Sequence, residues 1–561
     1  MLLLPLGGIL WFCVYYLSSS HARLLADFRK SYGCFYRNEG FAEQYFSPAV
    51  KAAGNGWCVA GILLSVAGIA ALAYGFWKKP VLRYQTLISR KAFGAVALLW
   101  MVALGSWLWG MARALPAYDE VFSAINVAAE GPGLALRYYM LPNNHPLFNI
   151  LNSLLPGNGG DKVFTGRLLS GLAHLGTATV FYIWMRSRKL PVGWALGFTA
   201  VLLLFYPVWA FSFQARGYSI YLFCCWSAIV SVDAYFRKKH LIFLWIYGVV
   251  SFLGFAVVPA YLYWQVGIGA YALTYLPLFR KEGSLWGRFL MAQIALGAAV
   301  FLFYLPGIAT SGLAAYTQNP YVTPAADSLS GFFSIFRTAL ESTIRYSFAS
   351  DIDGTSVVYP VAFLLPLLAW PFCRSPEGKR AILQFAIFWA VFCGMQLGIT
   401  RRWPFMRNMV AHCSLFAGVF LVAFHSAAQG IFGRFRRLKT LPNLLTALLL
   451  LATGIHYIRF MQDHLNDLYY NLLDKSYAGP AQLVEKIPTE ARVWYSDESF
   501  FPHFLLRQKD IAASHCADDT GYNYFIWDHR LEALPAAFQN IPTTEVFRNE
   551  QYVLYQKTGR E

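Results

Sequence analysis

The apolar positions of this chain come in long unbroken blocks rather than in the spacing of amphipathic helices or strands. Blocks nearly free of charge lie near 2–18, 56–77, 93–113, 163–185, 192–211, 217–236, 241–258, 260–279, 289–306, 357–373, 381–399, 409–427 and 441–458. A helix needs about 20 apolar residues to cross the hydrocarbon core of a bilayer, so the pattern predicts about 13 membrane spans. Pro259 divides the 241–279 pair. The first block lacks a basic leading region and a small-residue cleavage site, and it reads as an anchor. From about 459 onward the pattern becomes that of a soluble domain. It predicts a helix over Gly479–Lys486, a strand over Ala491–Ser496, a helix over Phe500–Gln508, a strand over Tyr522–Trp527 and a strand pair around Thr544–Lys557. Strands alternating with helices predict a small α/β domain. The expected organisation is an N-terminal membrane extension with two spans (1–92), a transmembrane domain (93–458) and a soluble tail (459–561).

Composition strengthens this picture. Hydrophobic residues make up 57% of the 561 positions and charged residues only 13%, with mean hydropathy +0.43; soluble domains carry about 25% charged residues. Too little polar surface remains to cover soluble domains, and disordered, collagen-like and disulfide-rich secreted classes are excluded. Aromatics reach 17%, fitting the two faces of a bilayer.

The net charge of +17 would suggest a nucleic-acid partner if it were spread over one face. It is instead concentrated in alternate loops: Lys78–Lys91, Arg186–Lys189, Arg237–Lys239, Arg280–Arg288, Arg374–Arg380 and Arg434–Lys439 carry 21 basic residues. By the positive-inside rule these loops are cytoplasmic. The N-terminus is then inside, and the soluble tail and the long loops 114–162 and 307–356 are outside. Seven of the nine cysteines lie in or beside apolar blocks and read as small hydrophobes, and no zinc spacing occurs.

Candidate chemistry falls in the outer loops. Ala117-Tyr118-Asp119-Glu120 places two carboxylates at the membrane boundary, where desolvation is costly. Asp119 is a candidate general base or cation anchor; a solvated pair or the start of a juxtamembrane helix would use the same residues. Pro142-Asn143-Asn144-His145-Pro146 fixes an extended path that presents His145 and two amides, although a lone His is often structural. Arg216, in Phe211-Ser212-Phe213-Gln214-Ala215-Arg216-Gly217-Tyr218-Ser219, stands on the side where basic residues are disfavoured. A lipid phosphate would explain it, and so would interfacial snorkelling. Arg401, Arg402 and Arg407 form a second outer basic cluster. Arg167 reads as a holder of loop carbonyls or of a carboxylate. There is no P-loop, dinucleotide fingerprint, HExxH or GxSxG.

These motifs, in this order, resemble the GT-C superfamily of membrane glycosyltransferases, most closely its branch of protein O-mannosyltransferases and lipid A aminoarabinose transferases. Asp119-Glu120 is similar to the Asp-Glu pair that follows a span in that branch, and His145-Pro146 to its later His-Pro-Pro or Lys-Pro patch. Arg167-Leu168-Leu169-Ser170 matches its Arg-Leu-x-Ser entry, and Gln214-Ala215-Arg216-Gly217-Tyr218-Ser219 its Gln-Glu-Ala-Arg-x-Tyr-Ser turn. Pro404-Phe405-Met406-Arg407-Asn408 is similar to its late Pro-x-x-Arg-Tyr turn. The resemblance covers roughly 93–430. It departs at Gln214, which stands where an acid is usual, and in the two spans before residue 93.

The resemblance implies a polytopic α-helical GT-C-like fold with an extracytoplasmic C-terminal domain, in a bacterial inner (plasma) membrane. It implies inverting transfer of a sugar from a polyprenyl-phosphate donor to a lipid, glycan or protein acceptor. Asp119 and Glu120 are then the catalytic candidates. His145, Arg216, Arg407, Arg137, Tyr218 and Asn144 are the substrate-binding candidates, with Arg167 and Gln214 structural. No cofactor is expected, and a divalent metal is doubtful because Gln214 replaces the second acid. The rival readings are a lipid-sugar transporter or flippase, against which few charges fall mid-span, and an O-antigen polymerase or ligase using Arg337 and Arg345 of the 307–356 loop.

Overall fold

Thirteen apolar blocks become a bundle whose helices differ widely in length and burial. The computed structural model describes residues 3–32, 45–77, 90–139, 144–157, 160–317, 326–348, 364–401, 404, 406–433, 435, 438, 440–464, 473–496, 500–514, 521–529 and 541–558. The helices before the first long loop are α1 (Leu3–Ser18), α2 (His21–Tyr32), α3 (Pro48–Trp77) and α4 (Arg90–Arg113). The loop itself holds three short helices, α5 (Tyr118–Ser123), α6 (Pro132–Arg137) and α7 (Pro146–Leu154). The bundle continues with α8 (Asp161–Ser187), α9 (Val192–Leu204), α10 (Tyr206–Ser212), α11 (Tyr218–Lys238), α12 (Leu241–Val257), α13 (Tyr261–Leu273) and α14 (Gly283–Ser311). It closes with α15 (Leu329–Phe348), α16 (Pro376–Met395), α17 (Val410–Phe432) and α18 (Leu441–His464).

Among the described residues, eight helices are long and apolar enough to cross a membrane, and a ninth span is the bent pair α9–α10. This is an integral membrane protein. The pair bends by 65° where Phe205 turns extended (ψ 121°) and Pro207 starts the second half, a position proline suits because it needs no N–H partner there. The block at 241–258 forms a helix of 17 residues, about 25 Å at 1.5 Å per residue. The block at 260–279 becomes the 13-residue α13 and a short turn, while 357–363 lies outside the described residues. Burial separates centre from rim: 89% of the apolar window of α11 is buried, against 22% for α3 and α18. The main core gathers around α11, with Trp184, Trp226, Trp264 and Tyr221 fully enclosed.

The two ends of the bundle are chemically distinct. At one end the basic loops meet: Arg188 donates to Asp233 and to Gln384, Lys189 pairs with Glu377, and Lys239 with Glu282. At the other end α8, α11 and α17 begin and α14 finishes, and there the loop helices α5 to α7 pack. The soluble tail comprises α19 (Leu473–Glu485), α20 (Phe500–Gln508) and five strands, β1 (Arg492–Tyr495), β2 (Ala512–Ser514), β3 (Tyr524–Asp528), β4 (Thr543–Arg548) and β5 (Tyr552–Lys557). The strand order is β2-β1-β3-β5-β4. β1 runs parallel to both neighbours, with Trp494 opposite Ser514 and Phe525, and the β3–β5 and β4–β5 pairs are antiparallel. Of these, β2 was not read from the sequence: three residues, Ala-Ala-Ser, carry no β-branched signal.

Candidate functional site

Pro116 and Ala117 end the chain's exit from α4. Ala117 is extended (φ −74°, ψ 151°) and α5 begins at the next residue, with Asp119 and Glu120 in its first turn, where exposed amides favour carboxylates. Neighbouring helical residues point about 100° apart, so the two acids part company at once.

Glu120 turns inward. Its side chain is wholly buried and takes a bidentate pair from Arg167, Nε to Oε1 at 2.9 Å and Nη2 to Oε2 at 3.0 Å. The backbone N–H of Ala117 donates to Oε2 at 2.7 Å, as the N3 acid of a helix's first turn can accept, and the N–H of Ala215 donates to Oε1. Arg167 spends its remaining donors on the carbonyls of Ala114 and Leu115, at 2.9 and 3.0 Å. Below it Ser170 donates to the carbonyls of Gln214 (2.6 Å) and Arg216 (3.1 Å). This corrects the expectation that Glu120 shares the chemistry. Its carboxylate is saturated and does not reach the cavity, and it clamps α5 to α8 and to the 213–217 turn.

Asp119 faces the other way, onto a cavity of about 210 Å³ lined by Ala117, Tyr118, Asp119, Phe211, Gln214, Arg216, Tyr218 and Arg407. Arg407 donates to Asp119 Oδ2 at 2.6 Å, and Arg216 approaches the same oxygen at 3.1 Å. Arg216 is almost fully buried, whereas the Asp119 side chain keeps 36% of its exposure. Burial pushes the Asp119 carboxyl up, but the two guanidinium groups outweigh it and hold the carboxyl below its ordinary value. Tyr218 lays its ring beside Arg216, 5.6 Å from the guanidinium carbon, a cation–π arrangement. The turn that presents Arg216 requires Gly217. A Cβ there would lie 2.4 Å from Val257 and 2.9 Å from His145 Nδ1.

The other expected residues divide. His145 is buried behind Tyr218, ring to ring at 4.8 Å, and does not line the cavity. Neither ring nitrogen has a hydrogen-bond partner among the described residues. Burial, then Arg216 and Arg407, push its imidazole well below the usual histidine range, so it is a neutral packing partner rather than a cationic ligand. Asn144 was expected to bind substrate, but its amide donates to the carbonyls of Ala135 and Tyr138, and its oxygen accepts from Asn149. Arg137 lies outside the cavity wall, donates to the carbonyl of Gly133 and rests over Tyr138. Gln214, expected to be structural, stands in the wall, and its buried Nε2 has no acceptor among the described residues. Ala117, Tyr118 and Phe211 complete the lining; the sequence motifs contained them, but none was a site candidate. Tyr118 adjoins the Asp-Glu pair, and that adjacency is the one signal that could have found it.

Among the described residues no three His, Cys, Asp or Glu side chains are placed to hold a metal. The groups nearest Asp119 are cations, so the cavity offers a place for an anion more readily than for a second positive charge.

No protein-family model matches this sequence, and no curated protein does. Among solved structures, ArnT from Cupriavidus metallidurans in the apo state is similar at TM-score 0.52 and 15% identity, over 83% of this chain and 98% of that one. The same ArnT bound to undecaprenyl phosphate is similar at TM-score 0.51 and 14% identity, with the same coverage. The chain shares the fold of this ArnT. Arabinosyltransferase EmbB from Mycobacterium smegmatis is more distant, at TM-score 0.41 and 12% identity over 65% of this chain and 34% of that one.

Proposed function

We propose that this protein is an extracytoplasmic membrane glycosyltransferase that moves a sugar, with inversion, from a polyprenyl-phosphate donor to a lipid, glycan or protein acceptor. One observation carries the reading. A carboxylate open to a cavity is shared by two arginines at the end of a membrane bundle opposite its basic loops. A polyprenyl-phosphate sugar keeps its tail in the bilayer and its phosphate at that boundary. ArnT, which has this fold, was solved with undecaprenyl phosphate, and this supports a lipid phosphate here.

The step balances as follows. The acceptor hydroxyl oxygen bonds to the sugar's anomeric carbon as the bond from that carbon to the phosphate oxygen breaks. The hydroxyl proton passes to Asp119, and the electron pair leaves with the lipid phosphate monoester. Arg216 and Arg407 carry the growing charge, an electrostatic stabilisation already oriented before the reaction. A carboxylate held low is a weak base but an ionised one, suited to taking a proton that becomes acidic as the sugar gains oxocarbenium character. Gln214 Nε2 supplies a neutral donor in the same wall. The reaction needs no bound metal in this scheme.

The test is release of polyprenyl phosphate from a panel of polyprenyl-phosphate sugars by the purified protein, paired with mass spectrometry of lipid-linked sugars in a deletion strain. Turnover by the wild-type protein with loss in Asp119→Asn, and accumulation of one lipid-linked sugar in the strain, support the reading. A folded wild-type protein that releases nothing from any donor overturns it.

A further inference from the structure

The helix that carries Asp119 is only six residues long, Tyr118–Ser123, and continues into a wider-wound turn over Ala124–Ala128. Six residues cannot hold a helix by their own hydrogen bonds, so outside contacts set its position. On one flank stands the Glu120–Arg167 clamp. On the other stands the soluble domain. Phe501 and Phe504 of α20 are 4% and 1% exposed and belong to one apolar cluster with Ala117, Val121, Phe122 and Ile125. The Phe501 ring lies 6.2 Å from that of Tyr118, which lines the cavity one residue before Asp119.

α20 is itself fixed from behind. Leu506 is fully buried in the sheet's own core with Val493, Tyr495 and Leu554. His503 stacks on Tyr495 at 4.3 Å and accepts a hydrogen bond from Arg507 Nε at 3.1 Å. Phe501 and Phe504, three residues apart, share one face of the helix, while Leu506 belongs to the face that packs on the sheet. The chain of contacts runs from sheet to α20 to α5 to Asp119 with apolar surface at each junction.

We infer that the C-terminal domain is a positioning element for the reacting carboxylate, with Phe501 and Phe504 as positioning residues that act through Tyr118 and α5. The inference rests on the proposed transferase activity for its kinetic readout but not for its structural one. Neither phenylalanine lines the cavity, so truncating them shifts Asp119 without removing a side chain from the cavity wall. Small misplacements of a reacting group cost much turnover. A loss of about ten-fold or more in kcat is expected in Phe501→Ala or Phe504→Ala, with KM for the donor held within about two-fold.

The experiment uses the full-length protein in detergent, in wild-type form and as Phe501→Ala, Phe504→Ala and Phe501→Leu. Hydrogen exchange is read over 118–125 and over the strands 492–495, 524–528 and 552–557, with undecaprenyl phosphate binding and turnover on the same samples. Faster exchange in 118–125 with the strands still protected, unchanged undecaprenyl phosphate binding and lower kcat support the inference. Wild-type exchange in 118–125 with wild-type kcat overturns it. If the alanine variants also expose the strands, Phe501→Leu carries the test: faster exchange confined to 118–125 supports it, and none overturns it. If the wild-type protein transfers no sugar, the functional reading falls and the exchange data alone decide this one.

Discussion

Asp119 and Asp233 are built from the same parts and do different work. Each is an aspartate held by two arginines. Asp233, at the basic end of the bundle, receives Arg188 at 2.6 Å, Arg237 at 3.8 Å, the hydroxyls of Tyr271 and Tyr275, and the amide of Gln384. Its side chain keeps 4% of its exposure and that of Arg188 none. Its partners come from α11, α13 and α16 and from the residues that directly follow α8 and α13, so the cluster ties four helices together. Asp119 has its two arginines on one oxygen, keeps 36% exposure and opens onto a cavity. An ion pair sealed on every side can only hold the fold. One left open on a cavity can exchange its partners with a ligand, and that difference in access, not in composition, is why we propose the outer cluster as the reactive one.

The comparison breaks most sharply at the aspartates themselves. Asp119→Asn should lower kcat by about 10²–10⁴ with the smaller loss of stability of the two, since its carboxylate is 36% exposed. Asp233→Asn should do the reverse, losing about 3–5 kcal/mol of stability because Arg188 is left buried without its countercharge, with kcat per folded molecule retained. Thermal unfolding and single-turnover rates on both variants check this. A stable Asp233→Asn, or an active Asp119→Asn, would erase the distinction.

The arginines come next. Arg216→Ala and Arg407→Ala should each weaken undecaprenyl phosphate binding by about 1.5–3 kcal/mol, the range for a charge-assisted hydrogen bond. Arg216→Lys should recover only part, since an ammonium cannot reproduce the planar fork. Equilibrium binding of the lipid phosphate measures both.

A smaller effect is written into pH. Asp119 is held below its ordinary value in the ligand-free protein, so the acid limb of kcat/KM, which reports the free enzyme, should lie below about 3.9. Removing Arg407 takes away a cation and should move that limb upward. The same depression contributes stability that is present above the unfolded value and lost as pH falls through the folded one. His145, also depressed, stabilises the fold above about 6.5, and that share is lost as the pH drops toward its folded value; His145→Phe should flatten the decline. Smallest of all is chelation. With guanidinium groups in place of a second acid, EDTA should leave turnover almost unchanged, and rescue of a chelated, inactive enzyme by a divalent ion would refute the scheme.

Much of the site was legible because its residues sit in short local motifs. Asp119, Arg216, Arg407 and Tyr218 were named from the Asp-Glu pair and the two outer arginine turns, and all four line the cavity. The errors came where a motif supplies a residue but not its direction. Glu120 is adjacent to Asp119 in sequence and 100° away in space. Asn144 and Arg137 share the outer loop with His145, but their side chains are spent on its backbone. Gln214 was read as structural, yet its side chain stands in the cavity wall. Phe501 and Phe504 carried no signal at all, being ordinary apolar residues of a helix more than 370 positions from Asp119.

What the sequence determined by itself was the membrane character, the α/β tail and the end of the bundle at which charge gathers. These follow from hydrophobic block length, charge sparsity and local strand pattern, which act over tens of residues. What only the tertiary structure decided was which charges face each other. Arg407 meets Asp119 across 288 residues of chain, and Arg188 meets Asp233 across 45. Helix packing, not local propensity, brings such partners together. Access to solvent is likewise a property of the assembled surfaces, so the line between a sealed ion pair and one open to a cavity was drawn there.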